Sequence, residues 1–245
     1  MRLRRQKTAA LSHWAPVLAF VPRKGEKGLE DRIRYPEIDE FIRNTMARED
    51  GVLKEMEEYA CLNHIPIIAP ETAALLRILV KIHKPARILE VGTAIGYSAL
   101  VMAAASGGCA SIDTIEIDEE MAILAERNIE KMGFKSRIRV LRGDALEVLQ
   151  CLTTPYDMIF LDASKGHYPE FLPECMRLAR EGGIILSDNV LYRGLVASKG
   201  HVEHKHRTIA VRLREYLESL CKNTLLDTAI IPIGDGLALS YKRRQ

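Results

Sequence analysis

Ile88-Leu89-Glu90-Val91-Gly92-Thr93-Ala94-Ile95-Gly96-Tyr97-Ser98 is the stretch on which the fold turns. A short apolar run, which suits a strand covered on both faces, ends in two glycines four residues apart, and helix-forming residues follow. A glycine turn at the carboxyl end of a first strand lets the backbone approach a nucleotide-like ligand, which makes Glu90, Gly92, Gly96, Tyr97 and Ser98 candidate cofactor contacts. The spacing is not the GxGxxG of dinucleotide sites, which speaks against a dehydrogenase, and a turn of this kind alone is weak evidence.

Working outward, the same alternation continues. Strands are predicted over 87–91, 112–117, 138–141, 156–161 and 183–187, with helices over 98–105, 119–132, 145–152 and 168–180 between them. Another helix runs to about Cys221. The strands 225–231 and 237–241 follow, joined by Ile233-Gly234-Asp235-Gly236, a hairpin signal. Upstream, 35–64 is helical in pattern, with Ile38, Phe41 and Ile42 in one stripe. A proline-fixed extended stretch, 65–70, leads to a helix over 71–82 with Ala74, Leu75, Ile78 and Leu79 on its buried face. The expectation is one α/β domain over 35–245 with a helical cover. It has a mostly parallel seven-stranded sheet, helices on both faces, and a terminal hairpin that adds an antiparallel strand at one edge.

Polar residues gather at the predicted strand ends. Glu116 closes the second strand, where a carboxylate accepts ribose hydroxyls. Asp144 closes the third, either to accept from an adenine amino group or to cap the helix that follows. Asp162-Ala163-Ser164-Lys165 and Ser187-Asp188-Asn189 follow the fourth and fifth. Two aspartates and an asparagine brought together give an all-oxygen site for a hard divalent cation, Mg²⁺ foremost, with Mn²⁺ or Ca²⁺ able to substitute. Lys165 is the candidate for proton chemistry, because a neighbouring cation disfavours the ammonium form of a lysine. Tyr168 and Tyr192 flank these ends, either to stack on a base or to pack. Arg193, Lys199, Lys205 and Arg207 are placed to meet phosphates or to form a solvated loop.

Composition sets the outer limits. A chain of 245 residues with 47% hydrophobic and 28% charged residues has ample core for one soluble domain. A net charge of +2 neither announces nor excludes nucleic acid. The five cysteines form no CxxC pair and read as reduced, mostly buried thiols of a cytoplasmic protein. No apolar run approaches the roughly 20 residues of a membrane span. The basic start and the apolar run 14–21 imitate a signal peptide. His13 and Pro16 interrupt that run and no small-residue cleavage site follows, so 1–34 is expected to be a poorly ordered extension. His201, His204 and His206 lie in a polar loop and are not expected to hold zinc.

Taken together, Ile88–Ser98, Thr114-Ile115-Glu116-Ile117-Asp118, Asp162–Lys165 and Asp188-Asn189-Val190 resemble class I S-adenosylmethionine-dependent methyltransferases. Among these, the chain is similar to the cation-dependent O-methyltransferases that act on catechols and caffeoyl-CoA. The segments 92–98, 188–196 and 230–238 resemble the bacterial tRNA 5-hydroxyuridine methyltransferases of the wobble position. The resemblance covers about residue 35 onward. It implies a Rossmann-like class I methyltransferase fold, S-adenosylmethionine as cofactor, a homodimer, and the tRNA anticodon region as partner. By position, the backbone of Ile68 and Ser98 would meet the methionine end of the cofactor, Glu116 the ribose, and Asp144 with Ala145 the adenine. Asp162 would serve both the cofactor and the metal, Asp188 and Asn189 would complete the ligand set, and Lys165 would be the base. A small-molecule catechol or caffeoyl-type enzyme is the alternative reading, and a non-catalytic cofactor- or RNA-binding protein a more distant one.

Overall fold

The structure, a computed structural model, describes residues 33, 35–47, 49–198 and 204–245. The extension expected over 1–34 lies outside the described residues apart from Ile33, as do Lys199 and His201. Seven strands form one sheet in the order β3-β2-β1-β4-β5-β7-β6. They are β1 (Arg87–Val91), β2 (Ser111–Glu116), β3 (Ile138–Arg142), β4 (Tyr156–Leu161), β5 (Ala179–Ser187), β6 (Leu226–Ile231) and β7 (Leu237–Lys242). The first five are parallel, and β7 pairs antiparallel with both β5 and β6. The terminal hairpin lies at one end of the sheet, as expected, and contributes the antiparallel strand β7. Its second strand is interior and β6 is the edge. The burial follows this order: β7 is the more buried of the two, whereas Asp227 and Thr228 suit an edge.

Pleating distributes each strand between two cores. Ile88, Met158 and Phe160 join one buried cluster, while Leu89, Val91, Ile159 and Leu161 join the other. That alternation is what helices on both faces require. The helices are α1 (Pro36–Thr45), α2 (Gly51–Asn63), α3 (Pro70–His83), α4 (Tyr97–Ala105), α5 (Glu119–Lys131), α6 (Ala145–Cys151), α7 (Tyr168–Leu178) and α8 (His204–Lys222). In α4, seven successive residues from Tyr97 to Ala103 are buried, so the helix after the glycine turn is a core helix rather than an amphipathic one.

Two local expectations are corrected. The buried face of α3 is Ala73, Leu76 and Val80, and Ile78 is exposed. Two apolar stripes adjoin on that helix, and α4 packs on the other one. The α1 stripe of Ile38, Phe41 and Ile42 is exposed. Of the five free thiols only Cys175 is buried, and Cys109, Cys151 and Cys221 are exposed. Among the described residues no helix is long and apolar enough to cross a membrane.

Candidate active site

The carboxyl ends of β1, β2, β4 and β5 converge, and the sequence-marked residues ride on them. Gly92 adopts φ +103°, and a Cβ there would lie 2.5 Å from the Asp162 carbonyl oxygen, so only glycine lets the first turn close onto the end of β4. The turn is fastened by Gly92 N and Thr93 N, both donating to Ile115 O. Gly96, at φ +84°, opens α4.

Glu90 is fully buried beneath this turn. Thr114 Oγ1 donates to its Oε2 at 2.6 Å, and Thr93 Oγ1 lies 2.6 Å from the same threonine hydroxyl. Burial pushes the Glu90 carboxyl up to about 8, against the hydrogen bonds from Ser98 and Thr114, and the charges of Asp162 and Glu116 add to the rise. Its Oε1 has no hydrogen-bond partner. A buried carboxylate with an unsatisfied oxygen beside other acids suits the cationic head of an amino-acid-bearing cofactor.

Glu116 is heavily engaged. It accepts from Ala94 N at 2.7 Å, Ile117 N at 3.0 Å and Asp118 N at 2.9 Å. A carboxylate offers about four acceptor positions, so taking both hydroxyls of a ribose requires one amide to give way. Asp144 caps α6, with Oδ1 accepting from Leu146 N at 2.9 Å and Glu147 N at 3.2 Å, and Ala145 is the first residue of that helix. Ile68 is buried in the extended segment before α3, beside the Arg43–Glu71 ion pair that ties α1 to α3. Tyr97 donates to Glu57 of α2 at 2.5 Å, which fastens the helical cover to the glycine turn.

Asp162 and Asp188 are brought together. Lys165 Nζ donates to Asp162 Oδ1 at 2.9 Å. Asp188 is almost fully buried, and its Oδ1 accepts from Asn189 N at 2.8 Å. Burial raises the Asp188 carboxyl well above the usual carboxylate range, and the charge of Asp162 raises it further. Asn189 is left-handed, φ +57°. Two neighbouring carboxylates followed directly in the chain by an asparagine form a donor set whose chemistry fits a hard divalent cation. Among the described residues no group of three or more His, Cys, Asp or Glu side chains could hold a metal, so the candidate set depends on the asparagine.

The two tyrosines pack. Tyr168 is fully buried, its hydroxyl 3.0 Å from both Leu161 O and Asp188 O. Tyr192, partly buried against the second core, lies 2.7 Å from His206 Nδ1. Arg193 meets the hairpin through its backbone N–H, which donates to Asp235 Oδ1. Sequence reasoning missed Thr114, Glu57 and Asp235. Glu57 interrupts an apolar stripe, Thr114 sits among isoleucines, and Asp235 is visible only as turn chemistry. A groove of about 840 Å³ lies at the other end of the sheet, around Arg87, Asp113 and Arg139, and includes none of these residues.

A glycine turn over a buried glutamate, with acids at the next strand ends, defines a nucleotide-cofactor transferase of the α/β class. The O-methyltransferase family profile matches residues 43–243. The catechol O-methyltransferase of Niastella koreensis is 31% identical over 218 residues, covering 84% of this chain and 96% of that protein. That of Mycobacterium tuberculosis is 30% identical, covering 88% and 100%. Among solved structures, the O-methyltransferase TomG of Streptomyces achromogenes, involved in tomaymycin synthesis and bound to S-adenosylmethionine, superposes with a TM-score of 0.75 at 26% identity, covering 85% of this chain and 96% of that one. A Bacillus cereus O-methyltransferase bound to S-adenosylhomocysteine gives 0.76 at 25%, covering 84% and 97%. The chain belongs to the O-methyltransferase family.

Proposed function

We propose that the protein transfers a methyl group to the 5-hydroxyl of a tRNA wobble 5-hydroxyuridine with the help of a divalent cation. One observation carries the tRNA acceptor. Of the three segments that resemble the tRNA enzymes, 92–98, 188–196 and 230–238, the latter two hydrogen-bond to each other beside Asp188 through Val190 N to Gly236 O at 2.9 Å and Leu191 N to Asp235 O at 3.1 Å. This pairing of two resembling segments next to Asp188 is what supports the reading.

When bound, S-adenosylmethionine supplies an electrophilic methyl, and a cation lowers the pKa of the hydroxyl it binds together with a neighbouring oxygen. Asp162, Asp188 and Asn189 would hold that cation, and the 5-hydroxyl and adjacent carbonyl of the base offer the vicinal oxygens. Lys165, whose Nζ lies 2.9 Å from Asp162 Oδ1, would take the hydroxyl proton as the neutral amine, after first giving up its own proton to solvent. Glu90 and the glycine turn orient the donor, and holding oxygen and methyl in line supplies much of the acceleration. We further propose a homodimer.

The relatives named catechol O-methyltransferase favour a second reading, a small catechol acceptor, since a catechol presents the same pair of oxygens. Nucleoside analysis of tRNA from a deletion strain separates the two. The tRNA reading expects 5-hydroxyuridine to accumulate where 5-methoxyuridine is lost. Unchanged nucleosides, with catechol turned over by the purified enzyme, establish the second reading.

A further inference from the structure

The loop that leaves β5 is held in an unusual shape. Asn189, Tyr192 and Arg193 are left-handed at φ +57°, +46° and +54°, and Gly194 follows at +78°. Each non-glycine residue in that region is disfavoured, because its Cβ crowds the backbone, so the conformation persists only where surroundings impose it. The β5–β7 ladder ends at Ser187 opposite Ala238, before any of these residues, so sheet pairing does not impose it.

The β6–β7 turn does. Where the ladder stops, Gly236 O accepts from Val190 N and Asp235 O from Leu191 N. The Asp235 side chain then reaches past both and accepts from Arg193 N, in the middle of the left-handed run. Gly236, at φ +87°, admits no Cβ, which would fall inside the Leu191 side chain, so turn and loop fit as mould and cast. Asp188 and Asn189 form the start of the moulded segment.

The geometry points to Asp235 as a positioning residue that sets the Asp188–Gly194 loop in the shape needed to hold a divalent cation. This rests on the cation reading above. The carboxylate acts through the backbone of the loop, by fixing Arg193. An acceptor oxygen at this point is therefore what matters, and a carboxamide at the same position supplies it.

Mn²⁺ binding by electron paramagnetic resonance, with S-adenosylmethionine binding by calorimetry on the same samples, tests this. Asp188→Ala should abolish Mn²⁺ binding. Asp235→Ala should weaken it about 10–100-fold, the usual effect of losing a residue that orients a ligand, while cofactor affinity stays near wild type. Asp235→Asn should restore Mn²⁺ affinity to near wild type. If Asp235→Ala does not fold, Asp235→Glu keeps the charge, moves the oxygen by one methylene, and carries the same expected weakening. Wild-type Mn²⁺ affinity in Asp235→Ala or Asp235→Glu, alongside its loss in Asp188→Ala, overturns the positioning role. So does failure of Asp235→Asn to restore it. Wild-type affinity in Asp188→Ala overturns the cation reading itself.

Discussion

Tyr168→Phe removes one oxygen and tests how the site is braced. The ring stays buried and keeps its edge-on contact with Tyr216, at 5.3 Å between centroids, so the apolar contribution is unchanged. What is lost is a single phenolic proton that serves two carbonyls, Leu161 O at the end of β4 and Asp188 O just past β5. Leu161 O keeps a second donor, Asp188 N at 2.9 Å. The cost is therefore set by one stranded acceptor, the lower part of the range for a buried group, about 1–2 kcal/mol. In a chain of this size each kcal/mol lowers the melting midpoint by about 2–4 °C, so the loss is about 2–8 °C. Calorimetry without cofactor measures it, and urea unfolding should show a lower midpoint at unchanged slope. A melting midpoint indistinguishable from wild type refutes the bracing role of the hydroxyl.

Lys165→Ala should lower kcat by about 10²–10⁴ while calorimetric affinity for S-adenosylmethionine holds, and a near-normal kcat removes the lysine from the chemistry. Gly92→Ala combines a positive φ with a Cβ 2.5 Å from Asp162 O, so it should cost about 3 kcal/mol or more in urea unfolding and weaken cofactor binding; a mild phenotype would mean the turn relaxes freely. Glu90 has a folded pKa raised from the usual 4.5 to about 8, so the native state holds the extra proton across that interval. Stability of the cofactor-free protein should be greatest below about pH 4.5 as far as this group is concerned and fall as pH rises through about 8. Glu90→Gln should flatten that slope in denaturation series run across the window, and an unchanged slope assigns it elsewhere.

Much of the sheet was legible because two simple signals agreed: apolar runs of strand length, and glycine or acidic residues just after them. The acids of the site were legible for the same reason, since a parallel sheet brings its strand ends to one rim. The hairpin and its place at one edge were legible, but not which of its strands lies outermost, because chain order does not encode that; Asp227 and Thr228 in β6 carried the information. The α3 face was misjudged because Ala74-Leu75-Ile78-Leu79 and Ala73-Leu76-Val80 are equally helical in spacing. Thr114 beneath Glu90, Glu57 on Tyr97 and Asp235 under Arg193 were not legible, since each acts on a residue at least 24 positions away in the chain. Asp144 shows the reverse case: its cap is local and was anticipated as one of two readings.

The strand order has a consequence for how the protein is made. The ribosome delivers β6 before β7, yet β6 reaches the sheet only through β7. Until Leu237–Lys242 emerges, β5 is an open edge, and until Asp235 and Gly236 emerge the loop at Asp188 lacks the turn that moulds it. The strands β1 to β5, with the glycine turn and Glu90, thus precede in the chain the turn that moulds the Asp188 loop. The two halves of the candidate site are completed at different moments of synthesis, and the second waits for the β6–β7 turn.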